Sequence, residues 1–188
     1  MILPVAVYGH PVLKKQAKHI DKDYPLLNEL IDNMFETMYN AEGVGLAAPQ
    51  INKSIRLFII DATPLEKHFE EAKDFIKVFI NAQIEERTGN TVSHDEGCLS
   101  IPGIREEVKR EDEIIISYYD KNWVKHKEKY KGYIARVIQH EYDHIEGILF
   151  TDKILPLRKV LLKSKLRNIS SGKINPGYKI IIPPVKQK

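Results

Sequence analysis

"QHEYDHIEG", residues 139–147, places two histidines four apart with a glutamate directly after the first. At about 100° per residue of α-helix, His140 and His144 project within roughly 40° of each other, so their rings can converge on one ion. Glu141 lies on the adjoining flank. Many zinc proteases hold their metal with this spacing. Val137, Ile138, Ile145 and Ile148 frame the pair with apolar side chains, which turns this face toward a core. A core-facing carboxylate between two imidazoles is costly unless a cation or another partner compensates it, whereas a solvated polar stripe would need no apolar frame. The stretch is therefore read as a metal-binding segment of a long helix, from about Tyr133 to Leu149, at the centre of the fold.

Two histidines leave the metal short of a ligand. One protease class continues the pattern as HExxHxxGxxH; Gly147 fills the glycine position, but Phe150 stands where the third histidine would be. A second class draws a glutamate from a later helix, yet no Asp or Glu follows Asp152, and Glu146 is too near His144 to turn back. The ligand must come from upstream, where Cys98 and His94 are candidates beside scattered carboxylates. The thiol is the stronger choice, being the chain's only one, in "DEGCLSIPG" (95–103) between turn residues. A lone cysteine makes no internal disulfide, which agrees with a reducing compartment.

Working outward, 188 residues with 43% hydrophobic and 29% charged composition suffice for one domain with a sizeable core. Leu26, Leu27, Leu30, Ile31, Met34, Phe35 and Met38 recur at helical spacing after "DKDYP" and predict an amphipathic helix ending near Glu42 and Gly43. A glycine-rich turn, "EGVGLAAPQ", follows. "SIRLFIID" (54–61) and "FIKVFINAQ" (75–83) read as strands separated by a polar, helix-favouring insert, "TPLEKHFEEAK". "DEIIISYYD" and "WVKHKEKYKG" flank a turn at "DKN", a hairpin whose second strand is polar enough for a sheet edge. After Pro156, Val160, Leu161, Leu162 and Leu166 suggest a basic helix, broken by "SSGKINPG" before a possible strand in "YKIIIPP". The expected fold is α+β in a single domain: mixed and antiparallel strands around the central HExxH helix, with a basic C-terminal helix and tail. No apolar run approaches the roughly 20 residues that span a bilayer. The start lacks the basic region and cleavage site of a secretory signal, so no membrane and a cytoplasmic location are expected.

Charge is split along the chain. Residues 1–152 carry 19 basic against 26 acidic side chains, while Lys153 to Lys188 carries ten basic and no acidic ones. Such a tail is a solvated basic end or an arm for anions, of which RNA is the commonest large one. Without aromatic interleaving or an RNA-binding signature the solvated reading stands ahead, and no stable DNA partner is expected.

Together "GVGLAAPQ" (43–50), "EGCLS" (96–100) and "QHEYDHIEG" (139–147) resemble, in order and at similar separations, the three signature motifs of bacterial peptide deformylases. The likeness runs from "YGHPVLKKQAK" to about residue 168. The resemblance implies a catalytic domain over 1–168 with an extension over 169–188, acting on the N-terminal formyl-methionine of nascent chains. It implies a metal on Cys98, His140 and His144, with a position left for water whose pKa the ion lowers. Glu141 would be general base and then acid. Gln50 and the Leu99 backbone N–H would stabilise the oxyanion. Gly43, Val44, Gly45, Gly97, Arg105, Tyr133 and Val137 would contact substrate, with Val44, Tyr133 and Val137 lining the methionine pocket.

Sulfur and nitrogen ligands by themselves suggest zinc. The resemblance points to Fe(II), with Zn, Ni or Co as substitutes, and to a thiolate and ferrous ion sensitive to air. It also makes ribosome docking by Lys153 to Arg167 plausible. His94 stands where many relatives have an apolar pocket residue and could compete as a ligand. His10, His19, His68 and His126 occupy polar or turn-like stretches and are read as solvated. Two other classes share parts of this pattern: a protease that cleaves within chains, and a non-enzymatic metal- or RNA-binding protein with a closed site.

Overall fold

In the computed structural model, which describes residues 1–184, strand β3 (Leu57–Asp61) is buried along its whole length. The last four residues of the expected extension, with Lys186 and Lys188, lie outside the described residues. Successive strand side chains point to opposite faces, so a fully buried strand needs cover on both. Leu57 and Ile59 join a cluster with Leu30, Ile31, Met34 and Met38 of helix α1 (Leu27–Asn40). Phe58 and Ile60 join another with Ile134, Val137, Ile138 and Ile145 of helix α2 (Gly132–Ile145). α2 is buried on nearly every side, the central position its sequence implied.

The five-stranded sheet has the order β2 (Gly45–Ala47), β3, β4 (Ile76–Cys98), β5 (Ile101–Tyr119), β6 (Lys125–Lys131), with every neighbour antiparallel. β6 takes the edge, where its lysines reach water. A separate pair joins β1 (Val5–Ala6) in parallel to β7 (Ile180–Ile181), so the strand in "YKIIIPP" exists and ties the C-terminal segment to the start of the chain.

β4 runs well beyond the strand read from residues 75–83. Twenty-three residues of straight strand would span roughly 75 Å. Shifts of register at Ile80/Gln83, Ile84/Glu86, Thr88/Thr91 and Gly97/Cys98 break the ladder, and such irregularities bend a hairpin. Cys98 pairs with Ile101, so only Leu99 and Ser100 form the tip. Polar alternation in this segment hid it: along β5, Ile104, Glu106, Val108 and Arg110 are buried between exposed Arg105, Glu107 and Lys109.

Helix α2 stops four residues before the expected Leu149. Gly147 takes φ +74°, the Ile148 N–H bonds Asp143 O at 2.8 Å, and a Cβ on Gly147 would sit 2.8 Å from the Lys14 carbonyl carbon. A left-handed residue pressed against another backbone favours glycine and ends the helix. At the other end Glu71, from the insert after β3, accepts the Tyr133 N–H at 2.9 Å. An anion there satisfies a free amide and complements the helix dipole.

Helix α3 (Pro156–Ser170) packs through Leu162, Leu166 and Ile169 on Val12, Leu13, Ile101 and Phe150 in a third cluster. Val160 and Leu161, on its other side, are exposed. Among the described residues, no helix is long and apolar enough to cross a membrane.

Candidate functional site

The bent hairpin delivers Cys98 to α2. One donor atom each from Cys98, His140 and His144 lies within 4.8 Å of the others, with Cys98 Sγ 3.2 Å from His144 Nε2. His140 and His144 rings stand 5.3 Å apart between centroids. A thiol and two imidazoles converging from a strand end and one helix face suit a divalent transition ion. His94 does not join them: it is exposed on β4, edge-to-face with Tyr133 at 5.9 Å.

A buried ionic network sets the imidazole roles. Glu96 accepts from Arg110 Nε at 2.6 Å and Nη2 at 2.8 Å, from Arg136 Nη1 at 2.7 Å, and faces His140 Nδ1 at 2.8 Å. Arg110 Nη1 also reaches Asp143 at 2.7 Å. Burial alone would raise the proton affinity of Glu96, but hydrogen bonds from Arg110 and His140 outweigh it and hold the carboxyl well below its usual range. A carboxylate only accepts, so the proton sits on Nδ1 of His140 and its Nε2 is left for the cleft. In the absence of an ion, burial opposes the charge on His140, but Cys98 and Glu96 raise its pKa well above the usual value. Burial and the neighbouring His140 push His144 well below.

Glu141 is buried beside this cluster, and its Oε2 has no hydrogen-bond partner. Burial pushes its pKa up to about 7. An unpartnered buried carboxyl oxygen is costly unless a proton, a cation or a bound polar group meets it, so the residues present fit a metal with a reacting group alongside. Gly45 makes the room: a Cβ there would stand 2.8 Å from Glu141 Cγ. Gln50 is also buried. Its Oε1 accepts the Ala47 N–H at 2.8 Å, which aims Nε2 at Ser100 Oγ (3.3 Å) and Cys98 Sγ (3.5 Å).

These groups border one open cavity of about 870 Å³. Gly43, Val44, Gly45, Gln50, Gly97, Cys98, Leu99, Arg105, Tyr133, Val137, His140 and Glu141 all line it, while His144 lies behind its wall. Arg105 is exposed and donates to Asp95 O at 3.2 Å.

Sequence reasoning missed three contributors. The insert after β3 supplies Leu65 to the cavity, and its Phe69 stacks on Tyr133 with centroids 4.0 Å apart. Arg110 and Asp143 carried no local signal, although Asp143 lies inside the HExxH helix. Ile174, Asn175, Pro176 and Tyr178 come from the C-terminal segment. Of the four histidines read as solvated, His10 and His126 are half-buried: His10 Nδ1 accepts the Val12 N–H at 3.3 Å, and His126 faces Asp120 at 3.1 Å.

Comparison with known proteins places these features in a wider set. The family model described as polypeptide deformylase matches residues 2–160. A curated peptide deformylase of Christiangramia forsetii is 59% identical over 194 residues, covering 100% of this chain and 99% of the relative. One from Flavobacterium psychrophilum is 53% identical over 194 residues and covers 100% of both. Among solved structures, the peptide deformylase of Thermotoga maritima superposes with a TM-score of 0.74 at 38% identity, over 83% of this chain and 99% of that one. That of Legionella pneumophila gives a TM-score of 0.79 at 34% identity, over 92% and 98%.

Proposed function

The chain belongs to the polypeptide deformylase family, hydrolases that remove the N-formyl group from nascent polypeptides, and from that premise we propose how its own residues carry the reaction. Cys98, His140 and His144 hold one divalent ion, Fe(II) in preference to Zn, Ni or Co, by resemblance to the family. When bound, that ion supplies Lewis acidity, easing the ionisation of water near neutral pH and drawing charge from a carbonyl oxygen.

Glu141 takes a proton from the attacking water through its free Oε2 and returns it to the departing amine nitrogen, so that formate and a free N-terminus result. Gln50 Nε2 and the Leu99 N–H donate to the oxygen on which charge develops. Gly43, Gly45 and Gly97 admit the substrate backbone, Val44, Tyr133 and Val137 receive the methionine side chain, and Arg105 borders the following residues. Every residue given a role in the preceding sentences falls within 1–168, with 169–188 following as an extension. The enzyme works in the cytoplasm on formyl-methionine chains, and basic residues of α3 offer the ribosome a docking surface. Replacing the exposed Lys163, Lys165 and Arg167 of α3 by Gln should weaken ribosome association in a salt-dependent way and leave short-peptide turnover unchanged.

The observation that carries the reading is the unpartnered Oε2 of Glu141 in the wall of the cavity that holds Cys98 and His140. The test is anaerobic formate release from formyl-Met-Ala-Ser by Fe(II)-loaded protein, beside Glu141→Gln. The variant should keep its metal and lose about 10²–10⁴ in rate. A blocked internal peptide should release nothing; cleavage of it, or unchanged turnover by Glu141→Gln, would defeat the proposal.

A further inference from the structure

The chain beyond α3 turns back at Gly172 (φ +72°) and runs along the body. Val5 N–H bonds Lys179 O at 2.9 Å, and Val7 N–H bonds Ile181 O at 3.0 Å, so main-chain contacts hold the segment directly after Tyr178. Tyr178 donates its hydroxyl to Leu99 O at 2.7 Å. Leu99 is one of the two residues at the tip of the β4–β5 hairpin, directly after Cys98. The other tip residue, Ser100, has its carbonyl bonded by the Tyr8 N–H at 2.8 Å. Both carbonyls of the tip are thus fixed from outside the hairpin, one of them by a side chain that lies beyond the matched residues 2–160.

The cavity wall draws on two separate apolar clusters. Val44 and Tyr133 pack on the cluster that includes Val137, whereas Ile174 packs on a different cluster, with Ile101 and Ile104. Ile174 and Pro176 thus line the same cavity as Val44, Tyr133 and Val137 but belong to a different part of its wall.

We infer that Ile174–Tyr178 is a working wall of the substrate cleft, in which Tyr178 positions the Leu99 main chain and Ile174 and Pro176 bear on the residues after the formyl-methionine. The inference rests on the activity proposed above, since the donor being positioned is the Leu99 N–H. Fixing the Leu99 carbonyl restricts rotation about the Leu99 Cα, the single atom that joins that carbonyl to the N–H side of the residue. A donor that must meet an oxyanion at hydrogen-bond distance tolerates little drift.

Fe(II)-loaded wild type, Tyr178→Phe and the double variant Ile174→Ala/Pro176→Ala are compared in formate release from formyl-Met-Ala and formyl-Met-Ala-Ser-Arg, with urea unfolding in parallel. Tyr178→Phe keeps the ring and loses only the hydroxyl. It should lower kcat about tenfold on both peptides, with KM and the urea midpoint close to wild type. The double variant should raise KM several-fold more for the longer peptide than for the shorter. Wild-type kcat in Tyr178→Phe, or a fall in kcat matched by a fall in the urea midpoint, overturns the positioning role. An equal KM change on both peptides overturns the wall. No formate from wild type itself would instead refute the activity and this inference with it.

Discussion

A side chain on Gly45 and the carboxylate of Glu141 cannot share the space they would occupy: a Cβ there would lie 2.7 Å from Glu141 Cδ and 2.8 Å from Cγ. Glycine is required by this approach and not by backbone angle. Gly45→Ala should push Glu141 aside while leaving Cys98, His140 and His144 in place. Formate release should fall by about two orders of magnitude, as expected for a proton-transfer group displaced by around 1 Å. Metal content, read by elemental analysis, should match wild type. Full activity would show that Glu141 is not held where it acts.

Glu96 joins three cations or potential cations: Arg110, Arg136 and His140. Removing its charge leaves two buried guanidiniums with a deficit that Asp143 meets only at Arg110. Glu96→Gln should cost about 3–5 kcal/mol in urea unfolding, the range for breaking one partner out of a buried pair. Because Glu96 also fixes the tautomer of His140, metal affinity should drop by about 10–100-fold. A neutral result in both assays would mean that the network orients nothing.

Much of this was legible in the residues, for reasons that differ from place to place. The helical spacing of His140 and His144 and the chain's single thiol pointed to the donor set, and the polarity of β6 placed it at an edge. What escaped was set by tertiary contact. The hairpin extends to Cys98 because buried Glu106 and Arg110 find partners in Arg158 and Glu96, so a strand that looks solvated in sequence has a buried face. α2 ends early because Gly147 meets the Lys14 backbone from another part of the chain. The C-terminal segment reaches the cleft through a parallel pairing with β1, a contact with no local signature.

Two carboxylates give stability opposite slopes with pH. Glu96 is held well below its ordinary pKa in the folded chain, so its contribution is complete above about pH 4.5 and is lost as pH falls further. Glu141 is raised to about 7 by burial, so in metal-free protein the unfolded chain gives up its proton first and stability declines as pH rises from about 4.5 to 7. Over the same range the depressed His144 gives stability the opposite slope, so the Glu141 contribution is read as a difference. The urea midpoint of metal-free wild type relative to Glu141→Gln should decline between about pH 4.5 and 7 and stay level below pH 4.5. A difference that does not change with pH would show that Glu141 is not raised.

Metal removal tests the donor set directly. An ion that binds the folded chain alone adds about 2.7 kcal/mol when present at 100 times its dissociation constant. For a chain of 188 residues that corresponds to roughly 5–10 °C in Tm. Chelation should therefore lower Tm by about that amount and abolish formate release, and Fe(II) added anaerobically should restore both. Cys98→Ala should show the chelated Tm whether or not Fe(II) is added, because the half-buried thiol ends a strand and contributes little packing of its own. Acidification should release the ion in wild type, since the thiol and His140 must each give up a proton to bind it. If Cys98→Ala instead gains the full Fe(II)-dependent rise in Tm, the sulfur is not a ligand, and a different third donor must hold the ion beside His140 and His144.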